Sequence, residues 1–273
     1  MKAILILLAQ LLRRSRGGLI AMTIGLFAFE YIQPVAIDAF GNLDQLVAIM
    51  DLVPKPFLAL MNVTPEVVEE VGLPGFLALG FTHPVYHLLV SALVIWIAAR
   101  GLAGEMESGQ VQVSLARSVS RPQFYLARVL TVVLISLWVA IVAVMGNIVG
   151  ILVSQPDGGM NNWHFVAQGG TSMLLALTIG GVALLASARA DRMGQAVGWA
   201  ATFLIISYVI DYFATLWSFL DPLQPFSIFH YYDPPTALAH GTIPITNVIV
   251  LGSLSVLCAV AGMIVFKRRD LPN

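Results

Sequence analysis

Six long apolar stretches dominate the pattern of hydrophobic and polar positions along the chain. A helix of about 20 apolar residues crosses the roughly 30 Å hydrocarbon core of a bilayer, so each stretch predicts a transmembrane helix. The polar segments between them predict the connecting loops. The six predicted spans cover residues 18–37, 84–103, 127–153, 166–187, 195–217 and 245–266.

The charged residues between the spans indicate the orientation. If the N-terminus lies in the cytoplasm, all of the fourteen Lys and Arg residues except Lys55 fall at or near the cytoplasmic face. By the positive-inside rule, this bias predicts that both termini are cytoplasmic. Most acidic residues fall on the other side. One more or one fewer crossing would put a basic cluster outside, so the same pattern supports six spans.

Composition agrees with a membrane protein. Of the 273 residues, 58% are hydrophobic and 11% are charged, whereas a soluble domain has about 25% charged residues. The mean hydropathy is +0.86. The net charge of −1 gives no bulk attraction to nucleic acid, and the single cysteine, Cys258, excludes an intrachain disulfide. We therefore predict one all-α integral membrane domain over residues 1–273.

The first 17 residues predict an element of their own. Lys2, Arg13 and Arg16 lie near one face of a helical wheel, and leucines and an isoleucine occupy the rest. This pattern predicts an interfacial amphipathic helix over residues 1–17 that lies on the inner leaflet. The alternative is a basic anchor that flanks the first span. A signal peptide is disfavoured because the basic cluster follows the apolar run and no small-residue cleavage site is present.

Two longer loops are predicted outside. Residues 38–80 contain four prolines and a short helix capped by Thr64, and the apolar part from Leu73 to Phe81 is expected on the outer surface. Residues 218–243 are rich in proline and aromatic residues. These aromatic side chains suit an interfacial belt or the lining of a lateral exit for an apolar substrate. They are Phe219, Phe226, Phe229, Tyr231 and Tyr232.

Residues 104–125 form the longest polar stretch predicted in the cytoplasm. The apolar positions from 110 to 119 fit both a strand and a helix. Ser120 and Gln123 predict a capping box at the start of the third span. A simple turn would need fewer residues, so this segment predicts either a docking surface for a cytoplasmic partner or an ordinary inside loop.

This segment resembles the ATP-binding-cassette (ABC) transporter permeases of the type-2 (exporter) membrane family. Members carry a Glu-rich, Gly-containing stretch after the second span, then a Leu…Pro-Val-Ser-Arg stretch and a further basic residue. Gln110 stands where the family usually has Thr, and Ser118 replaces the usual Pro. The loop after residue 65, the stretch before the last span and the basic C-terminal ending are similar too. The matching residues are Glu107, Gly109, Leu115, Val119, Ser120, Arg121 and Arg128.

The resemblance implies a half-transporter in the prokaryotic cytoplasmic membrane. A second permease copy, identical or related, would pair with this chain, and cytoplasmic ABC ATPase subunits would bind beneath the pair. ATP and Mg²⁺ would be held by those ATPase subunits. The segment 218–243 would form short outer helices that cap the translocation path. The residues expected to couple the permease to the ATPase are Glu105, Glu107, Gly109, Arg117 and Arg121.

The chemistry that the sequence lacks leads to the same expectation. No G-x-x-x-x-G-K-[ST] is present, so ATP-driven action requires a separate subunit. No H-E-x-x-H or G-x-S-x-G is present either. His83 and His87 are four residues apart, but a third ligand is not evident nearby. We therefore expect no enzymatic activity, cofactor or metal in this chain.

Two acids inside the predicted spans, Glu30 and Asp211, are candidates for the translocation path. A centred acid costs about 2.5–3.5 kcal/mol to insert, so such residues usually face protein or water. They could serve a pore or a proton relay, or could hydrogen-bond neighbouring helices. Two further classes therefore stay open. One is a proton-coupled secondary transporter that uses Glu30 or Asp211, and the other is a membrane scaffold without transport.

Overall fold

The computed structural model describes residues 2–39, 52–54, 56, 58, 72–116, 119–156 and 160–269. These residues fold into helices joined by turns, and six of the helices are long and apolar enough to cross a membrane. The protein is therefore an all-α integral membrane protein, which confirms the class predicted from the hydrophobic pattern.

Nine α-helices are numbered here in chain order. They are α1 Lys2–Ala39, α2 Leu73–Thr82, α3 Pro84–Ala99, α4 Gln110–Leu115, α5 Arg121–Ser154, α6 His164–Arg189, α7 Met193–Leu216, α8 Pro234–His240 and α9 Ile245–Arg268. The candidate spans are α1, α3, α5, α6, α7 and α9, and α3 continues to Glu107. Two 3₁₀ helices, Ser218–Phe226 and Phe229–Tyr231, lie between α7 and α8.

The N-terminal segment differs from the prediction, because it is not a separate interfacial helix. Residues 2–39 form one uninterrupted helix, which at 1.5 Å per residue is about 57 Å long. The side chains of Leu7 and Leu11 are buried, and the Leu7 carbonyl accepts a hydrogen bond from Arg128 of α5. The side of this segment with Leu7 and Leu11 therefore packs against protein, whereas Leu5 and Ile6 stay exposed.

Close packing joins α1 to α5 over most of their length. A Cβ atom on Gly146 would lie 2.7 Å from the Phe27 carbonyl oxygen, and one on Gly150 would overlap Pro34. The two helices run parallel, since Thr23 pairs with Trp138 and Pro34 with Ser154. The absence of side chains at these two glycines allows the backbones to approach, as in other small-xxx-small helix pairs.

Both described chain ends lie at one end of the bundle, which we call the basic end. Arg128, near the start of α5, reaches the start of α1, and Arg121 donates hydrogen bonds to the carbonyls of Lys267 and Arg269 at the end of α9. The ends of α3 and α6 and the start of α7 lie there too. An even number of crossings follows from this arrangement.

At the opposite end, α2 is buried rather than lying on the surface. Leu77, Ala78 and Phe81 are fully enclosed, because α2 packs between α1 and α8. The apolar stretch from Leu73 to Phe81 therefore lies at the end of the bundle away from the basic residues, where other helices enclose it. The expected helix after Thr64 lies outside the described residues.

The described residues of segment 104–125 are mostly helical, with breaks around Ser108 and Ser120. The helix of α3 passes through a π-helical turn, Arg100–Gly104, and ends at Glu107. Gly109 then adopts a left-handed φ of 71°, which reverses the chain before α4. The predicted capping box at the start of α5 is confirmed, since Ser120 and Gln123 exchange both side-chain hydrogen bonds.

Candidate functional site

A large candidate site is an apolar groove between α1, α3 and α7, with a volume of about 810 Å³. Its walls are almost entirely aliphatic and aromatic. We call it the substrate-sized groove, because ligand pockets for small molecules commonly measure about 300–1,000 Å³. Representative lining residues from the three helices and the outer segment are Ala21, Ala92, Trp96, Ala201, Tyr208 and Phe229.

Aromatic side chains mark both ends of this groove. Toward the basic end, Trp96 packs over Gly18, where an added Cβ would lie 2.5 Å from the indole, and the Arg100 guanidinium lies 5.6 Å from the Trp96 ring centre. At the other end, the ring centre of Phe229 lies 5.5 Å from that of Tyr208 and 4.8 Å from that of His87. The aliphatic part of the groove therefore lies between two aromatic ends.

A buried polar cluster supports the aromatic end opposite the basic end. The Tyr86 hydroxyl donates to Ser172 Oγ over 2.9 Å, and Gln168 donates to both Ser172 and Tyr232. Tyr86 and Tyr232 also stack in parallel, with ring centres 6.2 Å apart. The hydrogen bonds satisfy polar atoms that would otherwise be costly to bury, and they fix α3, α6 and the segment before α8 together.

The segment 218–243 forms short helices, as the resemblance implies. Ser207 of α7 holds it in place by accepting a hydrogen bond from the Ile228 amide over 2.8 Å. Its aromatic residues divide into two groups. Phe219 and Phe226 are exposed, whereas Phe229 and Tyr232 are buried. Phe229 lines the groove. The aromatic residues of this segment therefore include both exposed side chains that suit an interfacial belt and buried ones that line a cavity.

His83 and His87 occupy different environments. His83 caps α3, where its Nδ1 accepts a hydrogen bond from the Val85 amide over 3.1 Å, and burial lowers the pKa of His83 below its ordinary value. His87 lies among Tyr86, Phe229 and Tyr232. Within the described part of the chain, no three His, Cys, Asp or Glu side chains converge as metal ligands.

Glu30 lies outside the groove. It is fully buried between α1 and α5, where Asn147 Nδ2 donates to its Oε2 over 3.0 Å. Gly80 of α2 also approaches, since a Cβ there would lie 3.1 Å from Glu30 Oε2. Among the described residues, Glu30 Oε1 has no hydrogen-bond partner. This carboxyl group therefore joins three helices.

Asp211 lies in a different place, on α7. It lines a small cleft of about 10 Å³ together with His87 and Tyr232, which is room for about one water molecule. Gln224 donates a hydrogen bond to its carboxylate. The structure does not bring Glu30 and Asp211 together in one pocket.

At the basic end, Glu105 forms a buried ion pair with Arg128. Arg128 Nη2 lies 2.7 Å from Glu105 Oε2, and the side chains are 2% and 11% exposed. Arg128 also donates to the Leu7 carbonyl and lies 4.5 Å from the ring centre of Phe124. The Arg128 side chain also packs against Gly101 in the π-helical turn. Arg128 therefore contacts α1, α3 and Phe124 of its own helix, α5, at one junction. The sequence reasoning matched Arg128 to the family pattern but did not select it as a site residue.

Glu107 and Gly109 position the turn between α3 and α4. Glu107 accepts a hydrogen bond from the Met193 amide over 2.9 Å, and so occupies an otherwise unpaired donor at the start of α7. Arg14 of α1 donates to the Gln110 side chain. Arg14 therefore attaches the start of α4 to α1, and Glu107 attaches the end of α3 to α7, while the side chain of Val113 on α4 is 59% exposed.

Arg121 binds the end of α9, and Arg269 extends this contact by donating to the carbonyls of Ala188 and Ala190 at the end of α6. Basic side chains at helix C-termini satisfy carbonyls that lack partners. Arg117 lies outside the described residues. The described residues among those expected to couple the permease to an ATPase thus join α3 to α5 and α7, and α5 to α9, at the basic end.

Comparison with known protein families gives one match. The family described as "Multidrug efflux system permease Rv1217c, C-terminal domain" matches residues 7–267. No curated protein matches the chain significantly. The matched range contains the substrate-sized groove, the buried polar cluster and the junction at the basic end.

Proposed function

Because the chain belongs to the family of the multidrug efflux system permease Rv1217c, C-terminal domain, we propose that it is the permease subunit of an ABC exporter for apolar compounds. The family makes it a multi-pass membrane transport permease. The proposal adds three points: ATP is hydrolysed on a separate subunit, the substrate is apolar, and transport is outward.

The substrate-sized groove carries this proposal. It has the volume of a small-molecule site, and the described lining contains few polar side chains. It is open along its length, so a hydrophobic compound dissolved in the bilayer could enter from the side. An apolar lining with few hydrogen-bonding groups favours a substrate class defined by hydrophobicity and size rather than by one functional group.

A second permease copy provides the missing wall in this proposal. The groove faces outward from α1, α3 and α7, so a copy placed across these helices would enclose it as a central path. Most soluble and membrane homo-oligomers are closed and symmetric, and a two-fold pair is the simplest arrangement. A related permease could take the same place as an identical copy.

The ATPase subunit would bind the basic end, which the positive-inside rule assigns to the cytoplasm of a prokaryotic cell. The exposed face of α4, with Val113, offers an apolar contact. Motion of the turn between α3 and α4 would reach α1 through the contact of Gln110 with Arg14, and α7 through the contact of Glu107 with Met193. Both helices line the groove, so the docking surface and the proposed substrate path share two helices.

Inside-out membrane vesicles provide the test. The chain is expressed together with its natural genetic neighbours, among which the proposal expects an ATPase, and uptake of a hydrophobic fluorescent dye is measured with and without ATP. We expect uptake that requires both proteins and ATP. The Ala92→Trp variant, which fills the groove, should lose uptake while ATPase binding persists. Leu257→Trp, at an exposed position of α9 away from the groove, should retain it.

Transport by this chain alone, driven by a pH gradient, would contradict the proposal and support the secondary transporter instead. Equal activity of the Ala92→Trp and wild-type proteins would remove the groove from the substrate path. Loss of ATPase binding in Ala92→Trp would show that this variant disrupts assembly of the transporter. In that case Ala201→Trp, on the opposite wall of the groove, replaces it in the assay.

A further inference from the structure

A second apolar groove lies on the other face of α1, where α1 meets α5. Its volume is about 530 Å³, and it is lined by α1 between Leu12 and Ile24 and by α5 between Leu134 and Ile141. The α1 residues of this groove differ from those of the substrate-sized groove. We call it the α1–α5 groove.

The polar groups of this groove are confined to two residues. Thr23 is the first, and its hydroxyl accepts a hydrogen bond from the Trp138 indole over 3.0 Å. Arg16 is the second, and it lies toward the basic end. The remaining lining is aliphatic or aromatic, and Ile20, Ile24 and Trp138 are largely exposed. The groove therefore offers an apolar channel with one positive charge near its end.

Its length corresponds to one leaflet of a bilayer. The twelve-residue step from Leu12 to Ile24 on α1 covers about 18 Å at 1.5 Å per residue, and half of the hydrocarbon core is about 15 Å thick. Relative to the predicted span 18–37, Arg16 falls just outside the hydrocarbon core at the basic end, where lipid phosphate groups are expected, and Ile24 falls inside the core.

The charge of Arg16 is available for a ligand. The ion pairs found among the described residues are Arg128–Glu105 and Arg269–Asp191, and the lining of the α1–α5 groove contains no acid. The neighbouring Arg14 binds Gln110. A guanidinium group matches the geometry of a phosphate oxygen pair, and basic pockets between spans suit anionic lipid headgroups.

We propose that the α1–α5 groove binds an anionic glycerophospholipid of the leaflet at the basic end. One acyl chain lies between α1 and α5, and the phosphate contacts Arg16. A second copy of the chain fits this face less well, because the groove supplies no acid to pair with Arg16 and burial of an unpaired charge is costly.

The test uses the purified full-length chain in a mild detergent and native mass spectrometry. Phosphatidylglycerol and phosphatidylcholine with identical acyl chains are titrated separately. We expect phosphatidylglycerol to bind about fivefold more tightly, the factor given by about 1 kcal/mol per basic residue near an anionic lipid. Arg16→Gln should abolish this preference and Arg16→Lys should preserve most of it. Arg13→Gln, at an exposed position of the same helix, should leave it intact.

A second variant tests the acyl-chain site. Ile20→Trp fills the groove and should weaken both lipids severalfold, whereas Ile32→Trp, at another exposed position of α1, should not. Equal losses in Arg13→Gln and Arg16→Gln would overturn the proposal in favour of a diffuse basic surface. Displacement of phosphatidylglycerol by inorganic phosphate, or a change in the number of associated copies without a change in lipid binding, would also overturn it.

Discussion

The ion pair between Arg128 and Glu105 permits a quantitative test of the junction at the basic end. Both groups are buried, and removing one partner from a buried pair typically costs about 3–5 kcal/mol because the other charge is left without compensation. Arg128→Met would also lose the hydrogen bond to the Leu7 carbonyl, which is worth about 1 kcal/mol. Since Glu105 retains some exposure, we expect about 3 kcal/mol of destabilisation for Arg128→Met.

The double variant Glu105→Leu/Arg128→Met should be closer to wild type than Arg128→Met alone. Replacing both charges by apolar groups is often neutral for a buried pair, so we expect a remaining loss of about 1 kcal/mol from the missing hydrogen bond. The favourable coupling between the two substitutions should be about 2 kcal/mol or more.

Unfolding in mixed detergent and sodium dodecyl sulfate micelles, followed by circular dichroism, gives the free energies for this cycle. The single variant Glu105→Leu completes the cycle, and Glu105→Gln is a matched variant that keeps size and one acceptor while removing the charge. If Arg128→Met is as stable as the double variant, or if the coupling energy is below about 0.5 kcal/mol, the usual limit of additivity, then the junction is not held by this pair.

Three further outcomes follow from the packing. Gly150→Leu should destabilise the protein by at least about 1–3 kcal/mol through overpacking, while Gly198→Leu, which faces open space, should change little in the same unfolding assay. Glu30→Gln should fold and transport normally, because the glutamine oxygen still accepts a hydrogen bond from Asn147. Glu30→Leu should lower the free energy of unfolding by about 1–3 kcal/mol, because the Asn147 amide is left unpaired. Loss of transport in Glu30→Gln would instead support a proton relay. Gly109→Ala should strain the left-handed turn by about 1 kcal/mol and reduce ATP-dependent dye uptake, and unchanged uptake would argue against this turn in coupling.

Hydropathy predicts the six spans because insertion into a bilayer depends on the composition of each segment alone. The capping box at Ser120 was equally accessible, since its hydrogen bonds join residues three apart. The burial of α2 was not predictable in this way. Its ten apolar residues are too few for a span, and its environment depends on α1 and α8, which are distant in sequence.

In the candidate sites, too, contacts between residues close in sequence were predictable, and contacts between distant residues were not. Glu105, Glu107 and Gly109 are selected together because they lie in one short segment that resembles the permease family. The sequence did not reveal that Glu105 pairs with Arg128 or that Glu107 caps α7. The substrate-sized groove combines residues from three spans, and a hydrophobic lining looks the same in sequence as a surface that faces lipid.

The central claim is that a separate ATPase drives this permease from the basic end, and site-specific cross-linking tests it most directly. The single cysteine is first removed by Cys258→Ala, and one new cysteine is introduced by Val113→Cys on α4 or by Phe219→Cys at the opposite end. Both positions are exposed, at 59% and 74%. The chain is expressed in its native membrane together with its natural genetic neighbours, among which an ATPase is expected, and a thiol-to-amine cross-linker is added. Capture of the ATPase from Val113→Cys but not from Phe219→Cys is the predicted result, and an absence of ATPase at Val113→Cys, or equal capture at both positions, would contradict the account.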